Sequence, residues 1–180
     1  MQLHATKISN LLVVIQKKAK DSRGSFERVY CYEEFKEAGL NIQYVQTSIS
    51  KNYNAFTLRG MHYQLHPYQE IKIVTCISGE IFDVVIDLRK DSPTYLKWHG
   101  EVLNSKNQKS MYVPNGCAHG FMTLKRGSNV LYNISEPYSA TLARGIHWAD
   151  PKINIQWPSN PRVISDRDNN FSFLNPSLCA

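Results

Sequence analysis

Three polar side chains sit in apolar, strand-like surroundings where chemistry would need them. His119 lies in the segment Val113 to Phe121 (VPNGCAHGF), in which Pro114, Gly116 and His119 make a PxGxxH spacing. Proline and glycine shape a tight entry into a strand, and that entry aims the histidine inward. An imidazole titrates near neutrality, so it suits proton transfer or metal ligation. Lys72 alternates with Val74 and Cys76 on one face of an apolar run, and Tyr132 shares a face with Val130 and Ile134. Each also has a plainer reading. A lysine so placed is often a snorkelling edge residue, and a tyrosine is often core with a satisfied hydroxyl. Asp168, taken alone, reads as a solvated tail carboxylate, and His66, before Pro67, as a loop histidine.

The elements that must position these residues read mostly as short strands. Ile71 to Ile77 alternates Ile71, Ile73, Thr75 and Ile77 with Lys72, Val74 and Cys76, and Ser78-Gly79 then signals a turn. Ile81 to Leu88 is β-branched, with Asp83 and Asp87 as polar exceptions. Gln43 to Val45, Trp98 to Leu103, Ser110 to Val113, Gly120 to Leu124 and Asn129 to Ile134 are further strand candidates. Such spacing predicts a sandwich or closed barrel. The best helix is Tyr32 to Ala38, stopped by Gly39. From about Pro158 to Ala180 the chain is rich in Pro, Asn and Ser and reads as loop with one helical turn. The whole chain, 1–180, is expected to make one domain.

Composition narrows the class. Apolar residues are 42% and charged residues 20%, as in ordinary soluble proteins. No run approaches the roughly 18 apolar residues of a membrane span. Leu11 to Ile15 is too short for a signal peptide, so neither membrane nor export is expected. The net charge of +6 includes a cluster at Lys17, Lys18 and Lys20, but no nucleic-acid motif accompanies it. No nucleic-acid partner is expected. A moderately basic surface also suits a diphosphate-bearing substrate. Cys31, Cys76, Cys117 and Cys179 form no CxxC pair, which fits free thiols in a reducing cytoplasm.

The PxGxxH segment resembles the second motif of the cupin superfamily, a jelly-roll barrel. In metal-binding cupins that histidine is one ligand, and the others come from an upstream HxH and a glutamate. Here the corresponding stretch is His62-Tyr63-Gln64 and Gln69-Glu70, so Gln64 replaces one histidine. Two imidazoles and amides hold a metal weakly. No metal and no cofactor is therefore expected, although a shifted register using His66 and Glu70 keeps a metal cupin as the alternative.

A closer resemblance runs from about Ile8 to Leu174. DSRGSF (Asp21 to Phe26), RGMHYQ (Arg59 to Gln64), QEIKIV (Gln69 to Val74), GEIFDVVIDLRKDSPTYLKW (Gly79 to Trp98), PNGCAHGF, VLYNISEPY (Val130 to Tyr138), DPKINIQWP (Asp150 to Pro158) and SDRD (Ser165 to Asp168) occur in this order. Together they resemble the dTDP-4-dehydrorhamnose 3,5-epimerase family. The resemblance implies a mainly β, cupin-type jelly roll with a few short helices. It implies an isomerase that inverts C3, C5 or both in a nucleotide-diphospho-4-keto-6-deoxy sugar. Such chemistry needs a base for the proton beside the ketone, a group to hold the enolate, and an acid on the opposite face. The match makes His62 the base, Asp168 its orienting carboxylate, Lys72 the cation near the sugar oxygen and Tyr132 the acid. A cation aimed at a developing enolate supplies roughly 3 kcal/mol. His119 and Tyr138 become pocket residues, and Asp83 a polar group behind them. Arg23 and Arg59 match diphosphate contacts, for which arginine's directed N–H groups are suited. Gln46 and Ser48 stand where the family reads the base, and Arg167 is also placed at substrate. The resemblance further implies a homodimer in which Arg23 and Phe26 cross to the partner's site.

The sequence departs from the family pattern at Arg28, where a glutamate is usual, at Ser48, where QDN becomes Gln46-Thr47-Ser48, and at Ala143, again in place of a glutamate. These positions serve nucleotide or partner contacts, so the reaction class is better supported than the base. Besides the metal cupin, a binding module without turnover stays open. The apolar centre of Lys7 to Lys18 is also expected to pair edge-to-edge with a neighbouring sheet.

Overall fold

The computed structural model describes residues 1–40 and 43–174. Two antiparallel sheets pack face to face. The six-stranded sheet has the order β1 (Gln2–Ala5), β2 (Leu12–Ile15), β10 (Lys109–Val113), β7 (Lys72–Ser78), β12 (Ser128–Ile134), β5 (Gln46–Asn52). The five-stranded sheet has the order β13 (Ala143–Gly145), β6 (Leu58–Gln64), β11 (Cys117–Thr123), β8 (Glu80–Asp87), β9 (Trp98–Asn104). This is the jelly roll implied by the sequence. A separate hairpin pairs β3 (Lys18–Asp21) with β4 (Gly24–Glu27).

Alternation within the strands builds the core. Val74 and Cys76 of β7, Met111 and Val113 of β10, Val130 of β12, Ile81 and Val85 of β8, and Phe121 of β11 meet between the sheets. Residues of opposite parity, Val84, Ile86 and Ala118, face outward, where Met61, Ile146, Ile153 and Leu174 cover them. The outer face of the other sheet is partly closed by Phe35 from α1 (Tyr32–Glu37), which packs with Val14, Ile73 and Tyr112. Gly39 follows this helix at φ +79°, and the N–H groups of Gly39 and Leu40 close back on Lys36 and Phe35. The left-handed position explains the glycine.

Several boundaries differ from expectation. Gln43 to Val45 is irregular, and the strand begins at Gln46 and runs to Asn52. The polar sequence QTSISKN carries little strand propensity, and its pairing with β12 over seven residue pairs supplies the order. The N-terminal expectation is corrected. Leu12–Ile15 lies between β1 and β10, so its backbone is already paired on both sides and offers no edge. The tail contains one helical turn, α2 (Asp166–Asn169). Cys179 and the rest of the tail past 174 lie outside the described residues. Among the described residues, no helix is long and apolar enough to cross a membrane.

Candidate active site

His62 and Arg59 are three residues apart on β6, a spacing that strand parity would send to opposite faces. The pairing with β11 breaks that parity. His119 stands opposite His62, yet Phe121 stands opposite Arg59, so β6 carries one extra residue across Gly60-Met61. The bulge turns Arg59 and His62 to the same, inner side. Glycine is required at its centre: Gly60 has φ +124°, and a Cβ there would strike the backbone of Gly120.

Asp168 reaches His62 from the C-terminal segment. The Ser165 hydroxyl caps α2 by accepting the Asp168 N–H at 3.1 Å, which fixes the start of the turn. The buried Asp168 carboxylate then accepts from Gly60 N at 3.0 Å and lies 2.8 Å from His62 Nε2. Burial alone would raise this carboxyl. The bonds from His62 and Gly60 outweigh burial and hold it below the usual carboxylate range. An ionised Asp168 can only accept, so it selects the His62 tautomer with hydrogen on Nε2 and leaves Nδ1 free to take a proton.

The facing sheet supplies the other groups. Tyr132 is opposite Val74 on β7 and Ser48 on β5, and Lys72 is opposite Ile134, so Lys72, Tyr132, Gln46 and Ser48 share the inner face. Tyr132 meets His119 across the interior, edge to face at 5.9 Å between ring centroids. Burial pushes the Tyr132 phenol well above its ordinary value, Asp83 adds to the rise, and Arg59 opposes it. His119 Nε2 lies 2.7 Å from Asp83 Oδ1, a second imidazole–carboxyl pair. Burial raises the Asp83 carboxyl against the pull of His119. Lys72 is buried and pairs with Glu70 at 2.8 Å. Gln46 donates to the Ser48 hydroxyl at 3.1 Å.

Arg59 donates through Nε to Asn52 at 2.8 Å, while the residue as a whole is exposed. It lines a cavity of about 210 Å³ with Asp168, Ser165 and Thr57. Arg23 is not brought to it. Arg23 projects from the hairpin with 88% of its side chain exposed and is paired with its neighbour Asp21. Phe26, on the same hairpin, is 75% exposed. Within one chain, β3 and β4 pair only with each other, so Arg23 stays apart from Arg59 and free to reach a partner's site. Tyr138 is exposed in the loop after β12, and Arg167 is exposed with its guanidinium 5.7 Å from the Phe171 ring.

Gln64 gives both ends of its amide to that loop. It donates to Tyr68 O and Pro137 O and accepts from Ser139 N. His62 and His119 are each committed to a carboxylate, and Glu70 to Lys72. Among the described residues, no group of three or more His, Cys, Asp or Glu side chains is arranged to hold a metal ion.

The family model for dTDP-4-dehydrorhamnose 3,5-epimerase matches residues 5–176. The chain belongs to this family. It is 40% identical to dTDP-4-dehydrorhamnose 3,5-epimerase of Shigella flexneri over 94% of each chain. It is 32% identical to dTDP-4-dehydrorhamnose 3-epimerase of Streptomyces niveus, covering 97% of this chain and 84% of that one. Its structure superposes on the Bacillus anthracis 3,5-epimerase, solved with TDP and PPi bound, with a TM-score of 0.93. The identity there is 34%, and the match covers 96% of this chain and 99% of that one.

Within this epimerase fold, the departures from the family pattern have local uses. Arg28 pairs with Glu34 of α1 at 2.8 Å, and Ala143 is a β13 residue opposite Gln64. Two neighbours of the site carry roles that the sequence does not announce. Glu70 reads as a metal ligand in a shifted register, whereas its spacing of two from Lys72 at a strand start also suits the ion pair it forms. Phe171 touches the His62 ring at 5.7 Å between centroids, and nothing in its own neighbourhood of sequence announces this.

Proposed function

We propose that this chain inverts C3, C5 or both in a nucleotide-diphospho-4-keto-6-deoxy sugar, with dTDP-4-dehydro-6-deoxyglucose as the type of substrate. The observation that carries the proposal is the His62–Asp168 pair at 2.8 Å, on the inner face opposite the sheet that bears Tyr132 and Lys72. His62 Nδ1 takes the proton beside the ketone, and the C–H electrons move into the enolate. The Lys72 ammonium holds the charge that develops on oxygen. The Tyr132 hydroxyl returns a proton from the opposite face. Burial keeps this phenol protonated at neutral pH, and the positive charge of Arg59 moderates the cost of its transient ionisation. Solvent exchange resets the imidazolium and the phenolate. No step requires a metal or a cofactor.

The solvent-open guanidinium of Arg59 suits a diphosphate, and Gln46 and Ser48 present amide and hydroxyl groups to a base. The relatives act on thymidine-linked sugars by name, and thymine is the first base to test. The working unit is a homodimer, supported by the exposed Arg23 and Phe26 on a hairpin that its own chain leaves apart. A cytoplasmic location suits Cys76 and Cys117, which are unpaired; burial pushes their thiols up to about 11 and about 12.

Incubation with 4-keto-6-deoxy sugar nucleotides of different bases in heavy water, after exhaustive chelation, is the test. Deuterium at C3 or C5 with inverted product is expected. Activity that vanishes on chelation and returns with one divalent metal would favour a metal cupin. Binding without exchange would leave only a binding module.

A further inference from the structure

Gly145 of β13 pairs directly with His62 of β6, and the space where its Cβ would stand is filled by the ring of Phe171. Any side chain at this position would fall inside the van der Waals radius of that ring. The same ring meets His62 edge to face at 5.7 Å between centroids, with the planes at 78°. His62 is thus touched by Asp168 at Nε2 and by Phe171 at its ring.

Phe171 is held by the strap that carries it. Asn169 accepts from Trp148 Nε1, Ser172 O accepts from His147 N, and Leu174 N donates to Asp150. Leu174 is buried, and the Phe173 ring rests on His147. The strap is therefore fastened on both sides of Phe171, which fixes its backbone beside the gap that the ring fills at Gly145. The His62 side chain is 40% exposed, and apart from Phe171 only its single bond to Asp168 opposes a change of rotamer.

We infer that Phe171, seated in the gap left by Gly145, is a positioning residue that holds the His62 imidazole in the rotamer that bonds Asp168. The inference deepens the proposed function, since its catalytic consequence rests on His62 being the base. The ring need not touch substrate. Its effect falls on kcat, because misplacing a reacting group by about 1 Å can cost on the order of 100-fold.

The test has two readouts. In ligand-free protein, the low-field proton resonance of the His62–Asp168 hydrogen bond should be sharp in wild type and broadened by solvent exchange in Phe171→Ala. With substrate, Phe171→Ala should lower kcat about tenfold and leave KM within about twofold, with Phe171→Leu intermediate. Gly145→Ala should reproduce the loss by expelling the ring, and should add less than about twofold on top of Phe171→Ala. Retention of the sharp resonance in Phe171→Ala overturns the inference, whatever the activity. So does an equal cost of Gly145→Ala in both backgrounds, which would place the effect in the β13–β6 pairing. If wild type catalyses no exchange on any substrate, the base assignment fails, and the resonance comparison still decides the clamp.

Discussion

At His62 the two ring nitrogens have different surroundings, and this divides the work of the site. Nε2 is committed to a carboxylate held ionised by its own hydrogen bonds, so it carries the proton. If His62 is the base, Nδ1 is the acceptor. His62→Ala should then abolish both solvent exchange beside the ketone and product formation. Tyr132→Phe should behave differently, because it leaves this pair untouched and removes only a hydroxyl from the opposite sheet. The enolate still forms, takes deuterium back from the histidine side and returns to its starting configuration. Net inversion should fall by a factor of about 100 or more, from the lower end of the range for one general acid upward, while exchange survives in part. Proton NMR in heavy water reads both rates from one sample. Inversion at the wild-type rate in Tyr132→Phe would reduce Tyr132 to core and make Tyr138 the next candidate acid.

At the scale of elements, the loop after β8 shows how a buried carboxylate organises its surroundings. Asp87 accepts from Arg89 through Nε and Nη2 at 2.8 Å each, and from the hydroxyls of Ser92 and Thr94. Arg89 goes on to bond Ser9 O, and Thr94 accepts from Ser9 N, so this loop pins the N-terminal segment. Burial would raise the Asp87 carboxyl, but these donors lower it from 3.8 to about 2. A carboxylate with a depressed folded pKa adds stability that is fully present above its unfolded value. That stability is lost as pH falls through the folded value. Between pH 5 and pH 2, wild type should lose roughly 2 kcal/mol more than Asp87→Asn, measured by urea unfolding. Equal losses would show that Asp87 is not linked to folding in this way.

The same elements show what a sequence can and cannot carry. Strand alternation placed Lys72 with Val74 and Cys76, and the structure has all three facing inward, because a two-residue period survives any tertiary context that keeps the strand regular. Arg59 and His62 sharing a face could not be read that way, since an extra residue on β6 overturns parity without a signal beyond Gly60. β5 starts at Gln46, after the stretch Gln43 to Val45 that reads as strand, because its inner face is Gln46, Ser48 and Ser50, polar groups suited to a site and poor in strand propensity. Asp168 became legible through the motif SDRD. Phe171, three residues further on, depends on a gap at Gly145 and on a strap bonded to Trp148 and Asp150, which are contacts only the fold creates.

For the whole molecule, the hairpin β3–β4 is the part that one chain leaves unexplained. Phe26 is 75% exposed there, and Arg23 answers only to Asp21. An exposed aromatic beside an arginine is a composition found in the centres of interfaces. If this hairpin enters the partner's site, each site of the dimer contains His62 from one chain and Arg23 from the other. His62→Ala and Arg23→Ala homodimers should then both be impaired, the first completely, the second through KM for the diphosphate substrate. Mixing the two variants under conditions that exchange subunits restores function in a defined proportion. Half of the dimers become mixed, and in each of these one site has both residues intact while the other has neither. At substrate concentrations well below the KM of Arg23→Ala, activity should therefore rise to about a quarter of the wild-type value, the signature of a two-fold assembly that shares its sites. Sedimentation of the wild type should give a dimer at working concentration. No recovery on mixing, with subunit exchange verified by mass tags, would assign Arg23 to its own chain's site or to none.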